Sequence, residues 1–427
     1  MDHKVWLCGL ALIARAASAQ LSDTASTDTL RLTRQQAVDT ALKHNPQLVV
    51  AHEQVEEAKA QKVTQWAIPD PTGTAEIVQE HPASVAGIGR PISTNLTIPF
   101  PDKIRLNYKI GSSLVGTAQA NYTALRQQIA SSTAQTYDSL RVALRHHGDL
   151  TETRDLSADF LKKTQARFDA GTAPKLDVIR AQVGLAGDQN ALISNERDIT
   201  TARASLNRLL GRNLGLPIAP ADSLAVPPPL PALGPIEASA LSARPELEGL
   251  RAELSGAKAT TRLAEEFWLP DLIGGIEWDL GAPDQAFPNR SPIYTYGVSV
   301  ALPLFFWQHT GGDIKNSRHH ERELEASYKD QLASIDQDVR LSYATAATAL
   351  QQAIYLRDQL VPAARAAYQV ASTSYGLGGS SALDVLDARR DLVSAESQYT
   401  DALAAANQAE ANLERAAAAP LSQFHGQ

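Results

Sequence analysis

The sequence predicts a mainly α fold with a small β part, built as two copies of one unit: a helix, two strands and a long helical hairpin. Three observations predict it. Short matches recur in one order, about 200 residues apart. Each half carries brief segments in which apolar and small or polar residues alternate, the period of a strand. In each half a very long stretch with helical spacing follows the strands.

The repeat sets the organisation. Pro46-Gln47-Leu48 matches Pro245-Glu246-Leu247, and Ala58-Lys59-Ala60 matches Ala257-Lys258-Ala259. Ile68-Pro69-Asp70 matches Leu269-Pro270-Asp271, and Ile98-Pro99-Phe100 matches Leu302-Pro303-Leu304. Phe168 to Gln182 matches Tyr375 to Arg389, and the offset drifts only from 199 to 207. So long a period means two large similar halves, not a solenoid. The expected divisions are a leader over 1–19, a first repeat over 20–215, a proline-rich extended linker over 216–235, a second repeat over 236–417 and a disordered tail over 418–427.

The leader reading rests on Lys4, the apolar run Val5 to Ala14 and the small-x-small site Ala17-Ser18-Ala19. A short buried helix is the alternative. Removing 1–19 removes the only cysteine, Cys8, and the only methionine, Met1, so stability must come from packing or assembly. Cys8 lacks the small residues that precede a lipidation cysteine, so no lipid anchor is expected. No later stretch is long and apolar enough for a transmembrane helix, but an exported chain can span a membrane as a β-barrel.

The first helix of each unit is expected over Arg34 to Trp66 and Ile236 to Trp268. In the strands, Ile92, Thr94, Leu96 and Ile98 alternate with Ser93, Asn95 and Thr97. Leu272, Ile276 and Trp278 alternate with Ile273, Glu277 and Asp279, and Tyr294, Tyr296, Val298, Val300 and Leu302 with Thr295, Gly297, Ser299 and Ala301. Thr72 to Glu80 is read as a strand mainly by the repeat. Pro99 and Pro303 end strands because proline has no donor for a ladder. Ile104 to Ala170 is free of proline and would be roughly 100 Å long as a helix. Its counterpart, Gly311 to Leu377, has Leu324, Tyr328, Leu332, Ile335, Val339, Ala346 and Leu350 at coiled-coil spacing, and Pro362 should kink it. Turns at Gly171 and Gly378 lead into return helices over Pro174 to Leu210 and Ala382 to Ala417.

Four candidate strands per chain leave two unpaired edges, which lipid does not tolerate. The smallest bacterial barrels have about eight strands, so strands must be pooled among copies: two copies give eight, three give twelve.

This order of elements resembles the TolC family of outer-membrane efflux ducts over nearly all of the chain after the leader. The motif Tyr375-x-x-Gly378-x-x-x-x-Leu383-Asp384-Val385-Leu386-Asp387-Ala388-Arg389 is similar to that family's second periplasmic turn. Leu32-Thr33, Ala37, Ala41-Leu42 and Asn45-Pro46-Gln47-Leu48 are similar to its first helix. The spacing of Val361-Pro362-Ala363-Ala364 resembles the heavy-metal-efflux, CzcC-like branch. The resemblance implies a homotrimer with a twelve-stranded barrel in the outer membrane and a helical barrel in the periplasm. It also implies a periplasmic adaptor protein and an inner-membrane RND-type pump as partners, with substrates such as divalent metal cations or small toxic compounds. Alternatives are a duct for type I protein secretion and a periplasmic coiled-coil scaffold without a pore.

The resemblance places acidic residues of the entrance constriction at Asp384 and Asp387, where threefold symmetry would make carboxylate rings that favour cations. The plainer reading is that Asp384 caps its helix, as Asp177 would at the same repeat position. Tyr375 and Asp177 occupy the positions of a closing tyrosine–aspartate pair, while an assisting arginine falls on Ser380. The turns Gly171 to Leu176 and Gly378 to Leu383 are the implied adaptor-docking tips. Trp278, Tyr294, Tyr296 and Trp307 suit an aromatic belt at the lipid interface, with ordinary strand packing as the alternative. His319-His320-Glu321 and Glu323 read as a solvated helix face rather than a metal site. No P-loop, H-E-x-x-H or G-x-S-x-G motif occurs, so neither an enzyme nor a cofactor is expected. The net charge of −8 argues against nucleic acid.

Overall fold

The computed structural model describes residues 29–79, 88–89, 91–279, 293–301 and 309–424. The expected leader with Cys8, the Leu302-Pro303-Leu304 match and Trp307 lie outside them. The first half runs β1 (Leu30–Leu32), α1 (Arg34–His44), α2 (Pro46–Trp66), β2 (Thr72–Ala75), β3 (Val78–Gln79), β4 (Ile88–Gly89), β5 (Pro91–Ile98), α3 (Pro101–Asp169) and α4 (Lys175–Leu209). The second runs β6 (Ile218–Pro220), α5 (Leu233–Ala243), α6 (Pro245–Glu265), β7 (Asp271–Asp279), β8 (Ile293–Ala301), α7 (His309–Tyr355), a π turn (Leu356–Leu360), α8 (Val361–Gly376) and α9 (Ala382–Ala417).

The opening helix of each unit is two helices rather than one. Pro46 and Pro245 force the preceding residue out of the helical region, leaving Asn45 at ψ 122° and Arg244 at ψ 120°. Both side chains then hold the C-terminus of the return helix. Asn45 Nδ2 donates to the Leu209 carbonyl at 3.0 Å, and Arg244 Nε donates to the Ala416 carbonyl at 2.9 Å. The return helices stop in matching left-handed residues, Gly211 (φ 67°) and Ala418 (φ 55°). One backbone junction is therefore built twice with different side chains.

Pro362 does not end its helix. The Val361 N–H bonds back five residues to the Leu356 carbonyl, and the widened π turn carries the chain past the proline. The structure adds that the 216–235 linker is strapped down and that its last residues, from Leu233, already belong to α5: β6 pairs in parallel with β1, Asn407 donates to the Ala225 carbonyl, and the Tyr343 hydroxyl donates to that of Pro231. The tail expected to be disordered from 418 stays packed through a 3₁₀ turn at Leu421–Phe424, because Leu421 is buried in the second-repeat core.

The main sheet is antiparallel in the order β2-β5-β7-β8. Its register gathers one apolar face: Ile92 lies opposite Trp278, Ile98 opposite Leu272, Tyr296 opposite Ile276 and Val300 opposite Leu272. That face is bare, with Ile276 63%, Val298 74% and Tyr296 85% exposed. Ser93, Asn95, Thr97, Glu277, Thr295 and Ser299 fill the other face, where Thr74 and Ser93 share a hydrogen bond of 2.7 Å.

Next to the sheet the helices lie in the order α2-α3-α6-α7; towards the hairpin tips the order is α4-α3-α9-α8. At every level the first repeat supplies one outer edge and the second repeat the other. The α3–α6 seam between repeats is close-packed through small residues. A Cβ added to Gly256 would lie 2.8 Å from that of Ser113. No helix among the described residues is long and apolar enough to cross a membrane.

The duplicated junction gives an internal control. Ala418→Gly should raise stability by up to about 1 kcal/mol, since a left-handed alanine is strained. Gly211→Ala should lower it by more, because the new Cβ would sit 2.5 Å from the His44 carbonyl oxygen. Thermal or denaturant midpoints of the two variants should move in opposite directions.

Candidate functional site

The tips of the two hairpins share one construction. Gly171 (φ 73°) and Gly378 (φ 84°) take the left-handed conformation that closes each helix, with Thr172 N–H bonding to the Arg167 carbonyl and Gly379 N–H to that of Ser374. Leu176 (53%) and Leu383 (50%) stand exposed at the second position of each return helix, and Leu377, which sequence reasoning missed, is 86% exposed at the second tip.

The start of α9 is capped and the start of α4 is not. The Ser381 hydroxyl accepts from Asp384 N–H at 3.2 Å, and the Asp384 carboxylate accepts from Ser381 N–H at 2.9 Å. That backbone bond, with a further contribution from the serine side chain, holds the Asp384 carboxyl below its usual pKa. Ser381 is thus the cap, and Asp384 is its capping-box partner. In the first repeat Pro174 stands where Ser381 does. It has no side-chain acceptor, so Asp177 lies in the first turn of α4 without a capping box. Asp387, one turn beyond Asp384, is exposed and 3.4 Å from Arg390.

Tyr375 does not join these carboxylates. It is 3% exposed, with the Phe160 ring at 5.4 Å and the Arg167 guanidinium over its face at 4.5 Å. Arg167 also donates to the Tyr375 carbonyl. Among the described residues the buried Tyr375 hydroxyl has no hydrogen-bond partner, so no bond runs from it to Asp177. Ser380 turns back to donate to the Ala371 carbonyl at 3.0 Å.

Sequence reasoning also missed the polar ties within and between the hairpins. Arg389 on α9 pairs with Asp188 on α4 at 2.6 Å and donates to Ser157 on α3. Arg365 on α8 meets Glu396 on α9 at 2.5 Å and Glu152 on α3 at 3.7 Å. Burial pushes the Glu396 carboxyl above its usual pKa, and Arg365 opposes the shift. Thr400 on α9 donates to Asp149 on α3 at 2.8 Å. Arg389 closes the second-tip motif, the one signal that pointed here; the other ties depend on spacings between distant helices.

At the far end, Trp278 stacks on Tyr294 at 5.8 Å with 10° between the rings, and Tyr296 projects from the same apolar face. His320 lies 3.3 Å from Glu323, and the described residues hold no cluster of three metal-ligating side chains.

The unpaired hydroxyl makes a test. Tyr375→Phe should leave tip stability unchanged or raise it, whereas Arg167→Ala should cost about 1 kcal/mol through the lost ring and carbonyl contacts. Protease protection of the tips read against denaturant would separate the two.

Comparison with known proteins fits this geometry. The profile of the outer membrane efflux protein family matches residues 37–212 and 238–419, one stretch for each repeat. The pyoverdine export outer membrane protein OpmQ of Pseudomonas putida is 27% identical over 56% of this chain, and the match spans only 50% of that relative. The cobalt-zinc-cadmium resistance protein CzcC of Cupriavidus metallidurans is 25% identical over 70% of this chain and 69% of its own. Among solved structures, the outer-membrane channel OprN superposes with a TM-score of 0.79 at 20% identity, covering 91% of this chain and 90% of that one. CusC superposes at 0.77 and 18% identity, over 90% and 92%. With its fold and both repeats matched, the chain belongs to the outer membrane efflux protein family.

Proposed function

We propose that this chain is the outer-membrane channel subunit of a tripartite efflux system. The observation that carries the reading is the four-stranded sheet, bare and apolar on one face, set on helices that end at the same two edges. Strands of eight and nine residues approach the length that crosses a bilayer obliquely. The edge strands β2 and β8 need partners, and the helical edges carry apolar residues to cover: Val49, Val50 and Val63 on α2, Ile179, Val183 and Ile193 on α4, Leu341 and Ile354 on α7, Val370 on α8. Cyclic association of identical copies satisfies strand and helix edges together. Three copies make a twelve-stranded barrel continued by a helical barrel in the periplasm, which agrees with the family.

In this reading the tips form the periplasmic entrance and present Leu176, Leu377 and Leu383 to an adaptor protein, above an RND-type inner-membrane pump. The duct does no chemistry and needs no cofactor. Substrate choice and energy come from the pump, and the similarity to a cobalt-zinc-cadmium resistance protein makes divalent cations the first substrates to test. Asp384 and Asp387 line the entrance as carboxylate rings, with Asp387 the freer of the two.

Mass measurement in detergent should give three copies; a well-behaved monomer would sink the architecture. Deleting the gene should sensitise cells to cobalt, zinc or cadmium, or to small organic toxins, while the partner pump is active. In planar bilayers, Asp387→Asn should lower cation selectivity and divalent block without changing the melting midpoint. Asp384→Ala should do the same and also loosen the start of α9. Unchanged selectivity in the double variant would make both residues structural only.

A further inference from the structure

A polar groove of about 480 Å³ runs along α3 between α4 and α9, away from the hairpin tips. That volume lies within the range of sites for drug-sized ligands. The side it opens on follows from α3. Ile129, Tyr137 and Leu140 pack against Ala37 and Ala41 of α1. Gln135, Ser139, Val142 and His146, which line the groove, lie about half a turn away on the opposite side of α3. Helix α1 is thus a second layer on one face of the helical wall, and the groove opens on the other. In a closed tube the added layer belongs outside, because the inner side must stay open. The groove therefore faces the duct.

Asn195 makes the groove more than a gap between helices. It is 5% exposed, and its Nδ2 donates to the Ala143 carbonyl at 3.2 Å. That bond fixes the amide, so Oδ1 is left as an acceptor with no hydrogen-bond partner among the described residues. Burying such an oxygen costs stability unless something donates to it. The fold does not demand it, because the duplicated unit does without. Pro174 and Ser381 flank the return helices at one end and Gly211 and Ala418 at the other, each pair 207 residues apart. Ala402 and Ala405 therefore stand where Asn195 and Asp198 do.

The surroundings of that oxygen select a ligand. Asp198, one turn along α4, lines the same groove and is exposed beside Arg197. His146 lies 3.3 Å from Asp401 on α9. Val142, Ala143, Ala202 and Ala404 supply apolar surface. An open acceptor, carboxylates and apolar surface together match a cation with an N–H donor and an apolar body. A hydrated metal ion would leave the apolar surface unused, and the described residues hold no cluster of three metal-ligating side chains.

We propose that this groove is a transit site for organic ammonium compounds, one in each subunit. Asn195 Oδ1 accepts from the ammonium, and Asp198 offsets its charge. The site rests on the duct reading, for which it names a substrate class, and the test separates the two.

The probe is para-trifluoromethylbenzylamine, protonated at neutral pH and followed by its fluorine NMR signal with the purified oligomer in detergent. It should bind, and Asn195→Ala should weaken binding at least about tenfold, the loss expected for a hydrogen bond to a charged donor. Since this substitution installs the residue of the second repeat, the melting midpoint should hold or rise. The trimethylammonium analogue, charged but without N–H, and the corresponding alcohol, a donor without charge, should each bind at least about fivefold more weakly than the amine. In planar bilayers the amine should reduce the wild-type current and spare that of Asn195→Ala. Equal binding of the amine to Asn195→Ala would overturn the site, and a lowered melting midpoint beside it would make Asn195 a structural amide. Equal binding of the trimethylammonium analogue would remove the hydrogen bond and the proposal with it. Displacement of the amine by magnesium chloride at constant ionic strength would make a hydrated cation the ligand and overturn the assignment. Binding without effect on the current would put the groove outside the conducting path and overturn the transit site, while the duct reading stands. If oligomers inserted in bilayers carry no current, the duct reading fails and the site fails with it.

Discussion

The edge hydrogen bonds of the sheet are the constraint from which the rest follows. Strands β2 and β8 each offer a row of backbone donors and acceptors, and the bare apolar face beside them belongs in hydrocarbon. Lipid cannot meet those groups, and an unmet backbone group there costs several kcal/mol. Only strand pairing with another copy satisfies them. The helices repeat the problem, since α2 and α4 end one side of the protomer and α7 and α8 the other. Sheet and helices are thus two layers of one incomplete wall.

Duplication explains how one chain supplies such a wall. Each unit solves the same backbone problem at a prolyl break, a helix end and a glycine turn. The side chains are free to differ where the backbone is not. An amide at Asn45 and a guanidinium at Arg244 grip equivalent carbonyls. The hairpin tips diverge too: Ser381 closes a capping box that Pro174 cannot, so equivalent aspartates sit in unlike surroundings. Asp177 and Asp384 share a position but not an electrostatic environment.

The seam between the hairpins is polar at intervals rather than continuously apolar. Ala364, Ala382 and Ala395 keep the helices close, while Arg389 and Thr400 reach across to carboxylates of the first hairpin and Arg365 to Glu152. Alanine packing contributes little area per residue, so the directional bonds carry much of the register. Tyr375 is drawn into this seam by Phe160 and Arg167, which leaves its hydroxyl without a hydrogen-bond partner among the described residues.

By itself, the sequence determined the repeat, the strands and the return helices. Alternation over Ile92 to Ile98 and the run Ala382 to Ala417 are local patterns whose period reports the apolar face directly, and the second-tip motif marked the acidic residues and glycine turns. The tertiary structure decided what each of those residues touches. Ser381 took the cap from Asp384 because a serine hydroxyl, three residues earlier, reaches the helix amides. Tyr375 went inward because Arg167 and Phe160 lie some 210 residues away in sequence but adjacent in space. The strapped segment 216–235 was illegible because prolines carry no periodic pattern and its partners, Leu30 to Leu32 and Asn407, are distant in the chain. Periodicity encodes which face is apolar; which partner meets that face depends on contacts between segments far apart in sequence, and no local pattern records those.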